Sequence, residues 1–103
     1  MAIALGYIPG DMVVTLPSDA DFVANLIYAQ GWPIGTGIEL HLVPTSGSTI
    51  VWTATITGTV AAFYEDEVVV QAAITAQVTA ARLHYFDGSG ADLLWWKGRI
   101  SVA

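Results

Sequence analysis

The chain has 103 residues, enough for one domain, and three Lys+Arg against nine Asp+Glu leave a formal net charge of −6. With 54% hydrophobic and 12% charged residues, it lacks the composition of a disordered chain, and its acidic balance argues against a nucleic-acid partner held by its phosphates. Cysteine is absent, which excludes disulfides, thiolate metal sites and cysteine nucleophiles.

Gly and Pro divide the chain into short segments, the spacing of an all-β sandwich. Residues 1–10 read as an N-terminal arm carrying Ile3, Leu5, Tyr7 and Ile8, and residues 11–103 as the sandwich domain. Residues 12–16 and 22–28 read as strands joined by Pro17-Ser18-Asp19-Ala20-Asp21, and residues 30–37 as a Gly/Pro loop holding Trp32. Ile38, Leu40 and Leu42 then alternate with Glu39, His41 and Val43, the pattern of a half-buried antiparallel strand. A turn at residues 44–49 leads into one long strand over 50–57, with Ile50, Trp52, Ala54 and Ile56 on the core face and Val51, Thr53, Thr55 and Thr57 on the other. Gly58 breaks that strand, and residues 59–64 form another. In residues 65–77, Val68-Val69-Val70 suggests a strand and the following stretch one or two helical turns. We read it as a connection with a short helix near 70–77, for which Asp66 suits the N-cap and Glu67 the first turn.

The last third reads as a hairpin, residues 79–86 and 93–102 around Asp87-Gly88-Ser89-Gly90-Ala91-Asp92. Symmetric pairing sets Leu83 opposite Trp96, Tyr85 opposite Leu94 and Ala81 opposite Gly98 on a core face continued by Ile100 and Val102. The outward face then pairs His84 with Trp95, Arg82 with Lys97 and Phe86 with Leu93, and adds Arg99. A slip of one residue would reverse the two faces. In this register all three cations lie beside Trp95 on one face, with the acids elsewhere. Such a face suits oriented docking, and Trp95 is its expected anchor.

Catalytic chemistry finds little support. His41 and His84 alternate outward without a nucleophile beside them, and no G-x-S-x-G elbow is present. The 87–92 loop lacks the ligand spacing of an EF-hand, with Ala91 and Gly98 at its fifth and twelfth positions. Gly35-Thr36-Gly37 is not a dinucleotide fingerprint. Glu65-Asp66-Glu67 reads as a solvated charge run that guards Val68-Val69-Val70 against aggregation. Trp52 and Trp96 fall on core faces, which leaves Trp32 and Trp95 as the one aromatic platform for a sugar. No cofactor or metal is expected, and the chain reads as a non-enzyme.

The uncharged stretch over residues 40–64 is interrupted by Pro44, Gly47, Gly58 and many Ser/Thr, and has no run of about 18 apolar residues. No membrane span and no export signal are expected. The apolar excess is therefore assigned to a partner surface.

The motifs also occur in a telling order: Leu5-Gly6-Tyr7-Ile8-Pro9, then Val13-Val14-Thr15-Leu16, Asp21-Phe22, Gly31-Trp32-Pro33, Trp52, Gly58, and a close of Leu93-Leu94-Trp95-Trp96-Lys97-Gly98-Arg99-Ile100-Ser101-Val102. Over nearly its whole length the chain resembles the LtfC-like β-sandwich proteins of actinobacterial phages. More distantly it is similar to the N-terminal sandwich module of siphophage upper baseplate proteins. The resemblance implies a virion structural protein, made in the host cytoplasm, most simply a minor tail or baseplate component with no catalytic residues. A capsid decoration protein and a carbohydrate-binding module at the tail tip are the alternatives. The expectation is an all-β, antiparallel β-sandwich of about seven strands that assembles with itself and with other virion proteins. Its expected interface residues are Trp95, His84, Arg82, Lys97, Arg99, Phe86, Leu93, Tyr7, Ile8 and Trp32.

Overall fold

The computed structural model describes residues 10–103. These form eight strands and one helix: β1 (Gly10–Leu16), β2 (Phe22–Ile27), β3 (Gly37–Pro44), β4 (Ile50–Thr53), β5 (Thr55–Thr57), β6 (Val60–Glu65), α1 (Glu67–Thr75), β7 (Val78–Phe86) and β8 (Asp92–Val102). They make a sandwich of a five-stranded sheet, in the order β1-β8-β7-β3-β4, and a three-stranded sheet, in the order β2-β6-β5. The expected N-terminal arm, residues 1–10, lies outside the described residues except for Gly10, which opens β1.

Alternation decides which side chains meet between the sheets. Ile38, Leu40 and Leu42 of β3 are all buried and face Trp52 of β4, Ala81 and Leu83 of β7, and Ala61 and Phe63 of β6. No charged or polar residue is buried among the described residues, so the core rests on apolar burial and close packing.

Three features depart from the sequence reading. First, the long strand expected over 50–57 is two strands in different sheets. β4 pairs with β3 and β5 with β6, and between them the Ala54 N–H donates to the Ile38 carbonyl at 2.9 Å. The inward alternation of Ile50, Trp52, Ala54 and Ile56 runs through the bend unbroken. A chain that crosses from one sheet to the other keeps its apolar face on the shared core, so periodicity alone cannot reveal the crossing.

Second, β1 pairs with β8 in parallel, whereas every other ladder is antiparallel. Met12 lies opposite Gly98, and a Cβ built on Gly98 would fall 1.6 Å from the Met12 carbonyl oxygen. Only glycine fits where two backbones approach so closely.

Third, the helix begins earlier than expected and absorbs Val68-Val69-Val70. Asp66 is its N-cap, with Oδ1 accepting from the Val69 N–H at 3.0 Å, and Glu67 stands in its first turn. Val70 and Ala73, three residues apart, are the buried positions. Helical spacing presents both to the core, and this overrides the strand preference of the valine run.

Candidate functional site

The C-terminal hairpin pairs as expected near its base. Ala80 opposes Arg99, Ala81 opposes Gly98, Arg82 opposes Lys97 and Leu83 opposes Trp96. Between Leu83 and His84 the register shifts by one, so His84 opposes Leu94, Tyr85 opposes Leu93 and Phe86 opposes Asp92. Trp95 is the extra residue of this β-bulge, and an extra residue breaks strict alternation. The consequence overturns the expected placement of Trp95 and Leu93. Trp95 packs against the core beside Trp32 and Tyr85 rather than standing outward. Leu93 joins Tyr85, and Leu94 takes the position beside His84. Trp96, expected in the core, is 41% exposed and lies over Gly10, whose Cβ would sit 2.4 Å from the Trp96 ring.

Arg82, Lys97 and Arg99 do share the outer face and are all exposed. A row crosses the sheet from Asp11 through Lys97 and Arg82 to His41. His41 stacks on His84 with centroids 4.1 Å apart, and Phe86 continues the stack at 6.2 Å. The expected segregation of charge does not hold, because Asp11, Glu39 and Asp92 belong to the same face. Glu39 Oε1 lies 2.9 Å from His41 Nε2, and Asp92 Oδ1 lies 2.9 Å from His84 Nδ1. The face is a mixed polar surface with an aromatic stack at its centre. Tyr7 and Ile8 lie outside the described residues.

The structure brings Trp32 and Trp95 together. The 28–37 loop is anchored by Trp32 N–H donating to the Gly58 carbonyl and Gly31 N–H to the Tyr28 carbonyl, both at 2.9 Å. At its far end Gly35, at φ +89°, passes so close to the hairpin tip that a Cβ on it would sit 2.9 Å from the Gly88 Cα. The loop thus lays Trp32 across the hairpin. Its ring is edge-on to Trp95 at 5.9 Å and tilted against Tyr28 at 5.4 Å and Tyr85 at 6.4 Å. With Ile27 and Pro33 these rings line a groove of about 470 Å³. The Trp32 indole N–H finds no acceptor among the described residues. A second, apolar cleft of about 380 Å³ opens between the edges of the two sheets, lined in part by Met12, Val14, Ala24, Leu26 and Phe63.

The remaining candidates are structural. Asp87 Oδ1 accepts from the N–H groups of Ser89 at 2.8 Å and Ala91 at 3.0 Å, which shapes the hairpin turn. Glu65, Asp66 and Glu67 divide between a strand end, a helix cap and a first turn. Asp21 braces this corner, accepting from the Tyr64 hydroxyl at 2.9 Å and the Glu67 N–H at 2.8 Å. Among the described residues no three His, Asp or Glu are grouped to hold a metal ion, and no helix is long and apolar enough to cross a membrane.

The sequence reading missed the outer face of the small sheet. Val23 and Tyr64 oppose each other there, as do Asn25 and Ala62, Ala62 and Thr55, and Ile27 and Val60. None of these residues carries a charge. Val23 is 63% exposed, Ile27 73% and Tyr64 62%. The signal was present in the FVANLI segment, which carries no charge and is apolar on both alternating faces apart from Asn25, but only pairing with β6 reveals the surface. No family model, curated protein or solved structure matches the chain.

Proposed function

We propose that this chain is a structural component of a phage virion, a minor tail or baseplate protein that works by docking to copies of itself and to other virion proteins. The observation that carries the docking role is the uncharged outer face of the three-stranded sheet, where Val23, Ile27 and Tyr64 stand exposed together. An uncharged surface that leaves large apolar side chains exposed favours burial against a partner. The mixed-charge face with Arg82, Lys97, Arg99, His84 and Phe86 supplies a second surface, suited to setting orientation rather than strength. The assignment to a virion rests on the resemblance in motif order to the LtfC-like sandwiches. Mass spectrometry of purified particles encoding this chain tests the reading. A few copies per particle supports a tail or baseplate position, and hundreds on the shell would make it a decoration protein. Absence from particles overturns the virion role.

A second reading is favoured by the aromatic groove. Trp32, Trp95, Tyr28 and Tyr85 offer apolar ring surface of the sort that stacks on sugar rings. Titration with bacterial cell-wall oligosaccharides against wild type and Trp32→Ala decides it. Binding lost in the variant supports a glycan site, and no binding by the wild type removes it.

A further inference from the structure

β2 is an edge strand of the small sheet. Its Tyr28 extension donates to the Thr59 carbonyl at 2.8 Å. In an antiparallel ladder backbone groups alternate in direction, so Phe22, Ala24 and Leu26 turn theirs toward β6. Val23, Asn25 and Ile27 turn theirs to the open edge. Natural edges are commonly blunted by charge, proline, bulges or shortness. β2 has none of these: it is six residues long, reads FVANLI, and pairs with β6 without a shift in register. The other edges are protected, since β4 and β5 have only four and three residues and β1 carries Asp11.

We propose that β2 is a self-pairing edge, through which two copies of this chain join antiparallel with the two-fold axis beside Asn25. The proposal rests on the assembly reading above and names its partner as a second copy. An antiparallel union that keeps the same side of both sheets outward needs opposed residues of like orientation. Centring on Asn25 meets this: Asn25 opposes its own copy, and Val23 opposes Ile27 in both directions. The groups left open by β6 are the ones this register uses, and they close about six backbone hydrogen bonds. Neither strand brings a charge to the contact, so a chain of net charge −6 meets its copy where like charges do not face each other. The small sheets fuse into one six-stranded sheet that carries the exposed Val23, Ile27 and Tyr64 of both copies on one side. On the other side Ala24 opposes Leu26 of the second copy, which covers the mouth of the inter-sheet cleft.

The absence of cysteine makes the register testable. Opposed Asn25 residues place their Cα atoms about 5.5 Å apart, within the disulfide range, whereas the two Val23 Cα atoms lie about 14 Å apart. Asn25→Cys is therefore expected to crosslink into dimers under mild oxidation at least about tenfold faster than Val23→Cys. Asn25→Pro removes only an edge N–H, a change edge strands tolerate. It is expected to convert the wild-type dimer to a folded monomer in light scattering and circular dichroism. Val23→Lys and Ile27→Lys serve if the proline variant does not fold. A monomeric wild type overturns the proposal. If wild type oligomerises, the lysine variants do too, and Asn25→Cys crosslinks no faster than Val23→Cys, β2 pairing falls while the assembly reading stands.

Discussion

Trp32 meets Trp95 edge to face, with ring centroids 5.9 Å apart and planes at 80°, although they come from a loop and a strand more than sixty positions apart. The pair joins the 28–37 loop to the C-terminal hairpin at the place where the β8 bulge turns Trp95 toward the core. Trp95 is thus a folding residue first. The exposed tryptophan of the pair 95–96 is its neighbour, Trp96.

Trp95→Ala is expected to cost about 3 kcal/mol, because the ring is half-buried among aromatics that cannot collapse into its place. Trp32→Ala should cost less, since its loop can relax toward solvent. Chemical denaturation of both singles and the double should yield a coupling of about 1 kcal/mol. Additive effects would show that the two rings do not cooperate.

Gly98→Ala tests the parallel β1–β8 pairing. The new methyl would meet backbone, the Met12 carbonyl oxygen, rather than a side chain able to swing away. The strands must separate or shift, and the expected loss is at least about 2 kcal/mol. Amide exchange should quicken selectively in β1, which as an edge strand depends on β8 for its ladder. Unchanged exchange at Val14 and Leu16, whose backbone groups turn toward β8, would count against the close approach.

Much of this arrangement was legible because side-chain alternation has a short period. Ile38, Leu40 and Leu42 announced the core face of β3, and Asp66 announced the helix cap. What stayed hidden was non-local or broke the period. The crossing at Ala54 leaves alternation intact, so the sequence pattern looks like one strand. The bulge at Trp95 adds a single residue, and a hairpin assumed symmetric then assigns Trp95 and Leu93 to the wrong faces. The parallel union of β1 with β8 joins the two ends of the described chain, for which no local pattern exists. The aromatic groove was half visible, since Trp32 and Trp95 were paired as candidates but Tyr28 and Tyr85 were not.

Asp66→Ala should destabilise the chain by about 1 kcal/mol through loss of the bond to the Val69 N–H. Asp66→Asn, which keeps the accepting oxygen, should recover most of it. Thermal unfolding of the three proteins separates the cap from the charge: equal losses in both variants would mean that charge, not the hydrogen bond, matters.

The corner around Asp21 gives the same sign of pH dependence at the two ends of the scale, because both of its shifted groups hold their protons longer in the folded state. The Tyr64 hydroxyl donates to Asp21, and that bond, followed by the carboxylate's charge, raises the phenol above its usual value of 10.0. A raised folded value means the stabilisation is whole below pH 10.0 and is lost as pH climbs through the higher folded value. Because Tyr64 is exposed, the effect is read best as titration: ultraviolet absorbance should place its midpoint above that of Asp21→Asn, whose phenol falls back toward 10.0. Glu65 is raised above its usual 4.5, first by burial and then by the charge of Asp66. Here too the folded state holds its proton longer, so stability declines as pH rises from 4.5 through the folded value and stays lower above it. Glu65→Gln should abolish that decline and melt higher than wild type at neutral pH. A wild type whose melting temperature is flat between pH 4 and 7, once the other carboxylates are matched by the Gln variant, would show that Glu65 ionises freely in the fold.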